Sequence, residues 1–332
     1  MRPFDVLGDE HRSKLRRRRM PDWVEPMKAT LVHEAFSDPE WLFEPKLDGA
    51  RCLAFVRGSG VSLMSRNRKR MDHSYPEIVE GLAARVSEDA ILDGEVVALD
   101  GEVPSFSRLQ RRMHVLHPSP ALLKEVPVLL YLFDVLHLAG RDTMGLPLLE
   151  RKRLLAAAVD FRSPLRPVPH REAEGEAYFA EICSTSGWEG LIAKRAGSEY
   201  TQSRSKDWLK FKCANQQEFV IGGFTDPQGA RSHVGALLVG YYENGDLRYA
   251  GKVGTGFDRA TLERLGRALA RRVRKTSPFA DTGSRKANWV TPDLVAEVGY
   301  GEWTEDGLLR HPRFLGLRRD KNAKDIVRER PS

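Results

Sequence analysis

The sequence predicts a two-domain α+β chain: a first unit of mixed antiparallel sheets and helices, then a small, partly open β-barrel. Three observations predict it. At 332 residues the chain holds about two domains' worth of sequence at roughly 150 residues each. Its 41% hydrophobic and 30% charged residues are the proportions of a folded globular chain, not of a disordered or collagenous one. Near Asn215 the texture changes from helices interleaved with strands to a succession of short strands. This reading sets a basic N-terminal tail at 1–20, a first domain at 21–214 and a second at 215–332.

In the first domain Pro45 to Arg51 reads as a short loop, and 52–56 and 61–65 as strands of a hairpin turned through Gly58, Ser59 and Gly60. Residues 75–86 have helical spacing, and 91–92 and 95–99 are strand segments separated by Asp93-Gly94. The continuous apolar run 128–136 is a buried strand. Residues 148–159 and 174–185 are helices flanking a loop marked by Pro164, Pro167 and Pro169, and 191–194 is a further strand. In the second domain 218–224, 235–242, 247–253 and 294–300 read as strands, with Asn244-Gly245 as a tight hairpin turn. One helix interrupts them, with Asp258 as its N-cap and Leu262, Leu265, Leu269 and Val273 as its apolar stripe. Several strands and one helix in this length suit an oligonucleotide-binding (OB) barrel.

Composition excludes some classes. Even the apolar run 126–133 carries Pro127 and falls short of the roughly 18 residues a membrane-spanning helix needs. The arginines Arg16 to Arg19 are followed by Pro21, Asp22, Trp23 and Glu25 where a signal peptide would place its apolar segment. Three cysteines (Cys52, Cys183, Cys213) with no C-x-x-C spacing support neither a disulfide framework nor a zinc site. A cytoplasmic, reducing compartment and no membrane partner are expected. The net charge of +7 favours a polyanionic partner. Residues 1–20 carry +4 of it, either as added duplex affinity or as a disordered tail. Further basic clusters lie at 259–275 and 310–324, each equally readable as a solvated face. No P-loop, dinucleotide fingerprint, H-E-x-x-H or G-x-S-x-G motif occurs.

The segment Glu44-Pro45-Lys46-Leu47-Asp48-Gly49-Ala50-Arg51 combines a lysine, an aspartate two residues on, a glycine that lets backbone approach a ligand, and an arginine. Alone it reads more readily as a surface loop held by a salt bridge. Downstream, in order, come Ser65-Arg66-Asn67, Asp93-Gly94-Glu95, Tyr131-Leu132-Phe133-Asp134, Glu189-Gly190-Leu191-Ile192-Ala193-Lys194, Trp208-Leu209-Lys210-Phe211-Lys212 and Arg318-Arg319-Asp320-Lys321. Each is weak singly, but the ordered set, spanning about 22–328, resembles the covalent nucleotidyltransferase superfamily. The likeness is greatest to bacterial ATP-dependent DNA ligases, notably the ligase module of double-strand-break repair ligases.

The resemblance implies an adenylyltransferase domain followed by an OB-fold domain, with Lys46 as the nucleophile that takes AMP from ATP. It gives Glu44 the adenine edge, Phe133 the adenine face, Arg51 and Arg66 the ribose or phosphates, and Lys210 and Lys212 the phosphates. Glu95 would meet ribose and, with Glu189, a divalent cation, Mg2+ or Mn2+. Asp48 would support the lysine, and Arg204 is a further phosphate candidate. Asp320 and Lys321, with Arg318, would approach the pyrophosphate in the first step. Lys46 must be neutral to attack, and an unperturbed lysine near pKa 10.4 is not, so its surroundings are expected to lower its pKa. The partners implied are nicked double-stranded DNA and a Ku-type end-binding protein, with the chain acting as a monomer. The alternatives are an RNA ligase or GTP-dependent capping enzyme, and a non-catalytic OB-fold nucleic-acid-binding protein.

Overall fold

The computed structural model describes residues 3–113, 115–185, 188–227, 233–281 and 287–329. The chain divides into two compact units, Met1–Cys213 with the last two residues, and Ala214–Arg330.

Unit 1 is built on two sheets. We number its main strands β1 (Lys28–Leu31), β2 (Trp41–Pro45), β3 (Ala50–Arg57), β4 (Gly60–Ser65), β5 (Ala90–Asp100), β6 (Val128–Leu138), β7 (Gly190–Arg195) and β8 (Arg204–Lys212), and its main helices α1 (Pro76–Arg85), α2 (Leu148–Ala158) and α3 (Gly175–Ser184). The larger sheet runs β6–β5–β3–β4, extended past β6 by the short strands Arg141–Asp142 and Arg16–Arg17. The smaller sheet runs Arg171–Glu172, β2, β7, β8, β1.

Side-chain alternation sorts the cores. On β3, Cys52, Ala54 and Val56 face α1 and α2 within the largest apolar cluster, whereas Leu53 and Phe55 face the other way, into a cluster shared with Ile91, Phe133, Tyr200 and Trp208. On the smaller sheet Trp41, Phe43, Leu191, Ala193, Leu209 and Phe211 pack with Tyr178 and Ile182 of α3. Their strand neighbours Glu44, Ile192, Lys194, Trp208, Lys210 and Lys212 therefore share the opposite face, as the register Glu44↔Ile192↔Lys210 requires.

Unit 2 has the strands β9 (Gln216–Phe224), β10 (Leu237–Glu243), β11 (Asp246–Val253), β12 (Asn288–Gly299) and β13 (Arg313–Arg318), paired in the order β11–β10–β9–β12, with β13 also on β12. Its helix α4 (Arg259–Ala270) is capped by Asp258, whose carboxylate accepts from the Thr261 N–H at 2.6 Å. Asn244 and Gly245 both take positive φ, 53° and 88°, in the turn joining β10 to β11.

Four expectations need correction. Residues 3–20 are not a loose tail: Leu7 and Leu15 are buried in the largest core, and Arg16–Arg17 pair with Arg141–Asp142. Cys183 and Cys213 form a disulfide, because packing α3 on the smaller sheet brings the ends of α3 and β8 together; the odd count of three hid this pair, and Cys52 is the buried free thiol. Val273 is not on the helix stripe, since α4 ends at Ala270 and Val273 stands exposed at 59% in the next short strand. Segments 91–92 and 95–99 are one strand, β5, in which Asp93-Gly94 sits at a register shift against β6.

Candidate active site

The face of the smaller sheet turned away from α3 supplies the first layer of the site. Lys46 follows β2 directly, its backbone N–H donating to the Gly190 carbonyl at 2.8 Å. Its ammonium is ion-paired with the Glu189 carboxylate. Burial, the largest single influence, pulls the Lys46 pKa down, as does the nearby Lys212 charge, but the charge and hydrogen bond of Glu189 together with Asp48 more than offset them, so the amine is held protonated, above the ordinary lysine range. The expected depression is therefore not a property of the protein alone. With Glu189 facing it, the pairing that stabilises the ammonium must weaken before the amine loses its proton.

Two glycines permit this approach. A methyl on Gly49 would run into the Val96 carbonyl oxygen and the Glu95 side chain, and one on Gly190, at φ 141°, into the Phe211 carbonyl.

Glu44, at 2% exposure, is clamped between Lys152 of α2 and Lys194 of β7, each 2.6 Å from one of its oxygens. Burial works against its charge, but the two ammonium groups hold its pKa below the usual carboxylate range. Lys194 is pushed down to about 8 by burial and by the neighbouring Lys152, against the pull of Glu44. Its ammonium lies 4.0 Å from the Phe133 ring centroid and 4.2 Å from that of Trp208.

From the larger sheet come Arg51, Glu95 and Phe133. Arg51 does not present a free guanidinium. It grips buried Asp93 through two nitrogens at 2.5 Å and lies 4.7 Å from the Phe133 centroid. Tyr200 donates to the same Asp93 at 2.6 Å and accepts from the Met27 N–H at 2.9 Å. Glu95 is half-buried on β5, directly across from Arg51. Phe133 is buried in the apolar cluster between the sheets. Arg66 lies half-buried in the turn after β4. Asp48 acts electrostatically on Lys46. Arg204 is exposed at the start of β8, bonded to the Ala29 carbonyl at 2.5 Å.

In unit 2 the Arg318 to Lys321 motif is internal. Arg318 is buried against Glu297 and Asp320 at 3.0 Å each, and Lys321 pairs with Glu218 at 2.7 Å. Burial disfavours both charges, yet the pairing keeps Arg318 above and Asp320 below their usual ranges. Asp320 is thus turned onto Arg318 instead of outward, and Arg319 is the exposed member.

The comparisons with known proteins decide the family. Residues 24–212 match the ATP dependent DNA ligase domain and residues 230–321 the ATP dependent DNA ligase C terminal region. The chain belongs to the ATP-dependent DNA ligase family.

Among its relatives are the multifunctional non-homologous end joining protein LigD of Pseudomonas aeruginosa, 38% identical over 94% of this chain and 37% of that protein, and the LigD of Mycobacterium tuberculosis, 38% identical over 93% and 40%. A DNA ligase of Natronomonas pharaonis is 36% identical over 90% of this chain. A solved structure of mycobacterial DNA ligase D complexed with ATP and MES superposes with a TM-score of 0.65 at 37% identity, covering 92% of this chain and 98% of that one. The chain spans about two fifths of the length of the LigD relatives. These likenesses favour neither RNA ligation, GTP-dependent capping nor a non-catalytic role. No helix among the described residues is long and apolar enough to cross a membrane.

Within this ligase fold the structure brings Lys46, Glu189, Lys212 and Asp48 together, and separately Glu44, Phe133 and Arg51. The sequence motifs include Lys194 and Trp208 without giving either a role, and Lys152 and Tyr200 were missed altogether. For Lys194 a signal existed: a lysine ending an apolar strand, two residues from Ile192 on one face. For Lys152, on a helix with other charges, there was none.

Proposed function

We propose that this chain is an ATP-dependent DNA ligase that seals 3′-hydroxyl/5′-phosphate nicks in DNA repair. The Lys46 amine, after losing a proton, attacks the α-phosphorus of ATP. A P–N bond forms, the α–β phosphoanhydride P–O bond breaks, and pyrophosphate leaves. The nick's 5′-phosphate oxygen then attacks the same phosphorus, breaking the P–N bond and returning the amine. Finally the 3′-hydroxyl attacks the 5′-phosphorus, AMP leaves with the electron pair, and the strand is joined.

Catalysis rests on in-line placement and charge neutralisation. Phe133 would take the adenine face and Glu44 its edge, where the lysine clamp fixes the orientation of the carboxylate. Lys210 and Lys212, on the strand face that holds Lys46's neighbours, would meet phosphate oxygens, as would Arg66. Arg51 would need to leave Asp93 to do so, so positioning Phe133 is the role its present contacts support. Arg318, Asp320 and Lys321 would support the first step by keeping the barrel motif ordered.

The carboxylates Glu189 and Glu95 offer the hard oxygens that Mg2+ or Mn2+ takes. Among the described residues no group of three or more metal-ligating side chains occurs. That fits magnesium, which draws most of its ligands from phosphates and water. Bound there, the ion would supply charge neutralisation of the triphosphate. Glu189 and Glu95 are the residues that would hold it, and a Glu189 engaged with a cation would favour the charged Lys46 ammonium less. The partners are nicked duplex DNA and a Ku-type end-binding protein, and the chain works as a monomer in the cytoplasm.

The observation that carries this reading is the half-buried Lys46–Glu189 pair beside Lys212, just past the end of the strand that holds Glu44. The test is incubation with α-labelled ATP and magnesium, followed by denaturing electrophoresis. Label that survives denaturation, is absent in Lys46→Ala and is discharged by nicked DNA but not nicked RNA supports the ligase. An unlabelled wild-type chain rejects it.

A further inference from the structure

The arginine run at 16–19 is held as part of the folded surface of unit 1. Leu7 and Leu15 anchor the segment in the main core. Arg16 pairs with Asp142 and Arg17 with Arg141 in the sheet. The Arg18 N–H donates to the Gly140 carbonyl at 3.0 Å, and the Arg18 carbonyl lies 2.9 Å from His137 Nε2. The Arg141 guanidinium closes on the Leu15 carbonyl at 3.2 Å. Of the four arginines, Arg18 is neutralised by Asp142 at 2.8 Å. Arg16, Arg17 and Arg19 are exposed and have no ion-pair partner among the described residues.

Three exposed guanidinium groups, Arg16 and Arg17 on the short strand and Arg19 two residues beyond it, give this ordered edge of the sheet a local excess of positive charge for a polyanion. A strand already pinned by backbone bonds loses little conformational entropy when it binds, unlike a tail that must order on contact. Asp142 pairs with His137 of β6, four residues along that strand from Phe133. At about 3.3 Å per residue and 4.8 Å between strands, the arginines lie roughly 15–20 Å from the ring expected under the adenine. That is about five base pairs of B-DNA at 3.4 Å each.

We propose that Arg16, Arg17 and Arg19 form a fixed contact surface for duplex phosphates flanking the nick, a deepening that rests on the ligase reading above. The contact is electrostatic and sequence-independent, so the salt dependence of binding reads it directly.

The test measures binding of the full chain to a nicked duplex by fluorescence anisotropy across a salt series, with three triple variants. In R16Q/R17Q/R19Q the log–log salt slope should fall in magnitude by about 2 to 3, near 0.9 per lost phosphate contact, with affinity at 0.1 M salt weakened roughly tenfold or more. R16K/R17K/R19K, which keeps the charge, should retain the slope. R111Q/R153Q/R162Q, which removes three arginines already paired with Glu125, Glu150 and Asp160, should change it little. Lys46 labelling by ATP without DNA should be unaffected in all three, which also reports that they fold. An unchanged slope in the glutamine triple, or an equal fall in the paired-arginine triple, overturns the proposal. An unlabelled wild-type chain would sink the ligase reading instead, and the arginine surface would then be judged by the same slope on intact duplex.

Discussion

Glu44 and Lys194 show how far a single side chain's state depends on its neighbours. Both are 2% exposed, where an unpaired charge would be costly; Glu44 is held ionised by Lys194 and Lys152, whereas Lys194 keeps its charge chiefly through Glu44, against burial and Lys152. Lys194 is the weaker partner, pushed down to about 8. Unfolded, a lysine titrates near 10.4. Between those pH values the unfolded chain binds more protons, so this group's contribution to stability rises with pH across that window and is level below it. Wild-type melting temperature should therefore climb relative to Lys194→Met between about pH 8 and 10; a flat difference in a paired pH series would contradict the assignment. Gly190 tests geometry in the same way. With φ at 141° and the Phe211 carbonyl where a methyl would go, Gly190→Ala should strain the β7–β8 ladder and displace Glu189. We expect a destabilisation of about 2 kcal/mol or more in urea, with loss of Lys46 labelling although Lys46 itself is intact. Retained stability and labelling would show that the strand can shift to accept the methyl.

At the level of elements, the Cys183–Cys213 bridge ties the end of α3 to the end of β8, one residue beyond Lys212 and 30 residues apart in sequence. Closing a loop of that length removes unfolded-state entropy worth about 3–4 kcal/mol. Unit 1 should therefore unfold at lower urea under a thiol reductant, and Cys183→Ser should match the reduced wild type and no longer respond to reductant. The cap of α4 is a smaller case: Asp258→Ala removes the bond to the Thr261 N–H and should lower barrel stability by about 1 kcal/mol. The same elements show what was legible in the sequence. The cap and its leucine stripe could be read because both signals are local, as could the Asn244-Gly245 turn, where only residues tolerant of positive φ fit. The bridge could not, since nothing within a few residues of Cys183 specifies that α3 packs on the strand ending at Lys212. Strand β2 was overlooked although it carries Glu44, because five buried residues ending in proline give no alternation to detect. The site divided likewise: the ordered motifs and the resemblance they carry named Lys46 and Glu189, which the structure pairs, whereas Arg51's grip on Asp93 and Lys152's reach to Glu44 join residues from separate elements and are decided by tertiary packing.

For the whole molecule, the division after Cys213 puts Lys46 in one unit and the Arg318 to Lys321 motif in the other. Unit 1 has three apolar clusters of its own residues and unit 2 has another, so neither needs the other to bury its core. Residues 1–213 alone should fold and unfold cooperatively in urea. Activity should not divide so cleanly. In the proposed first step the pyrophosphate that leaves the α-phosphorus carries charge that must be neutralised as the α–β bond breaks, and removing a single preorganised donor from such a step typically costs about 100- to 1,000-fold. If the barrel motif supplies part of that neutralisation, the 1–213 fragment should bind ATP yet label Lys46 at least ~100-fold more slowly than the whole chain. Asp320→Asn in the whole chain tests the ordering role. It leaves Arg318 paired with Glu297 alone, so it should lower barrel stability together with the labelling rate. Single-turnover labelling of the fragment at the full-chain rate would confine the first chemical step to unit 1 and leave Arg318 and Asp320 a purely structural pair.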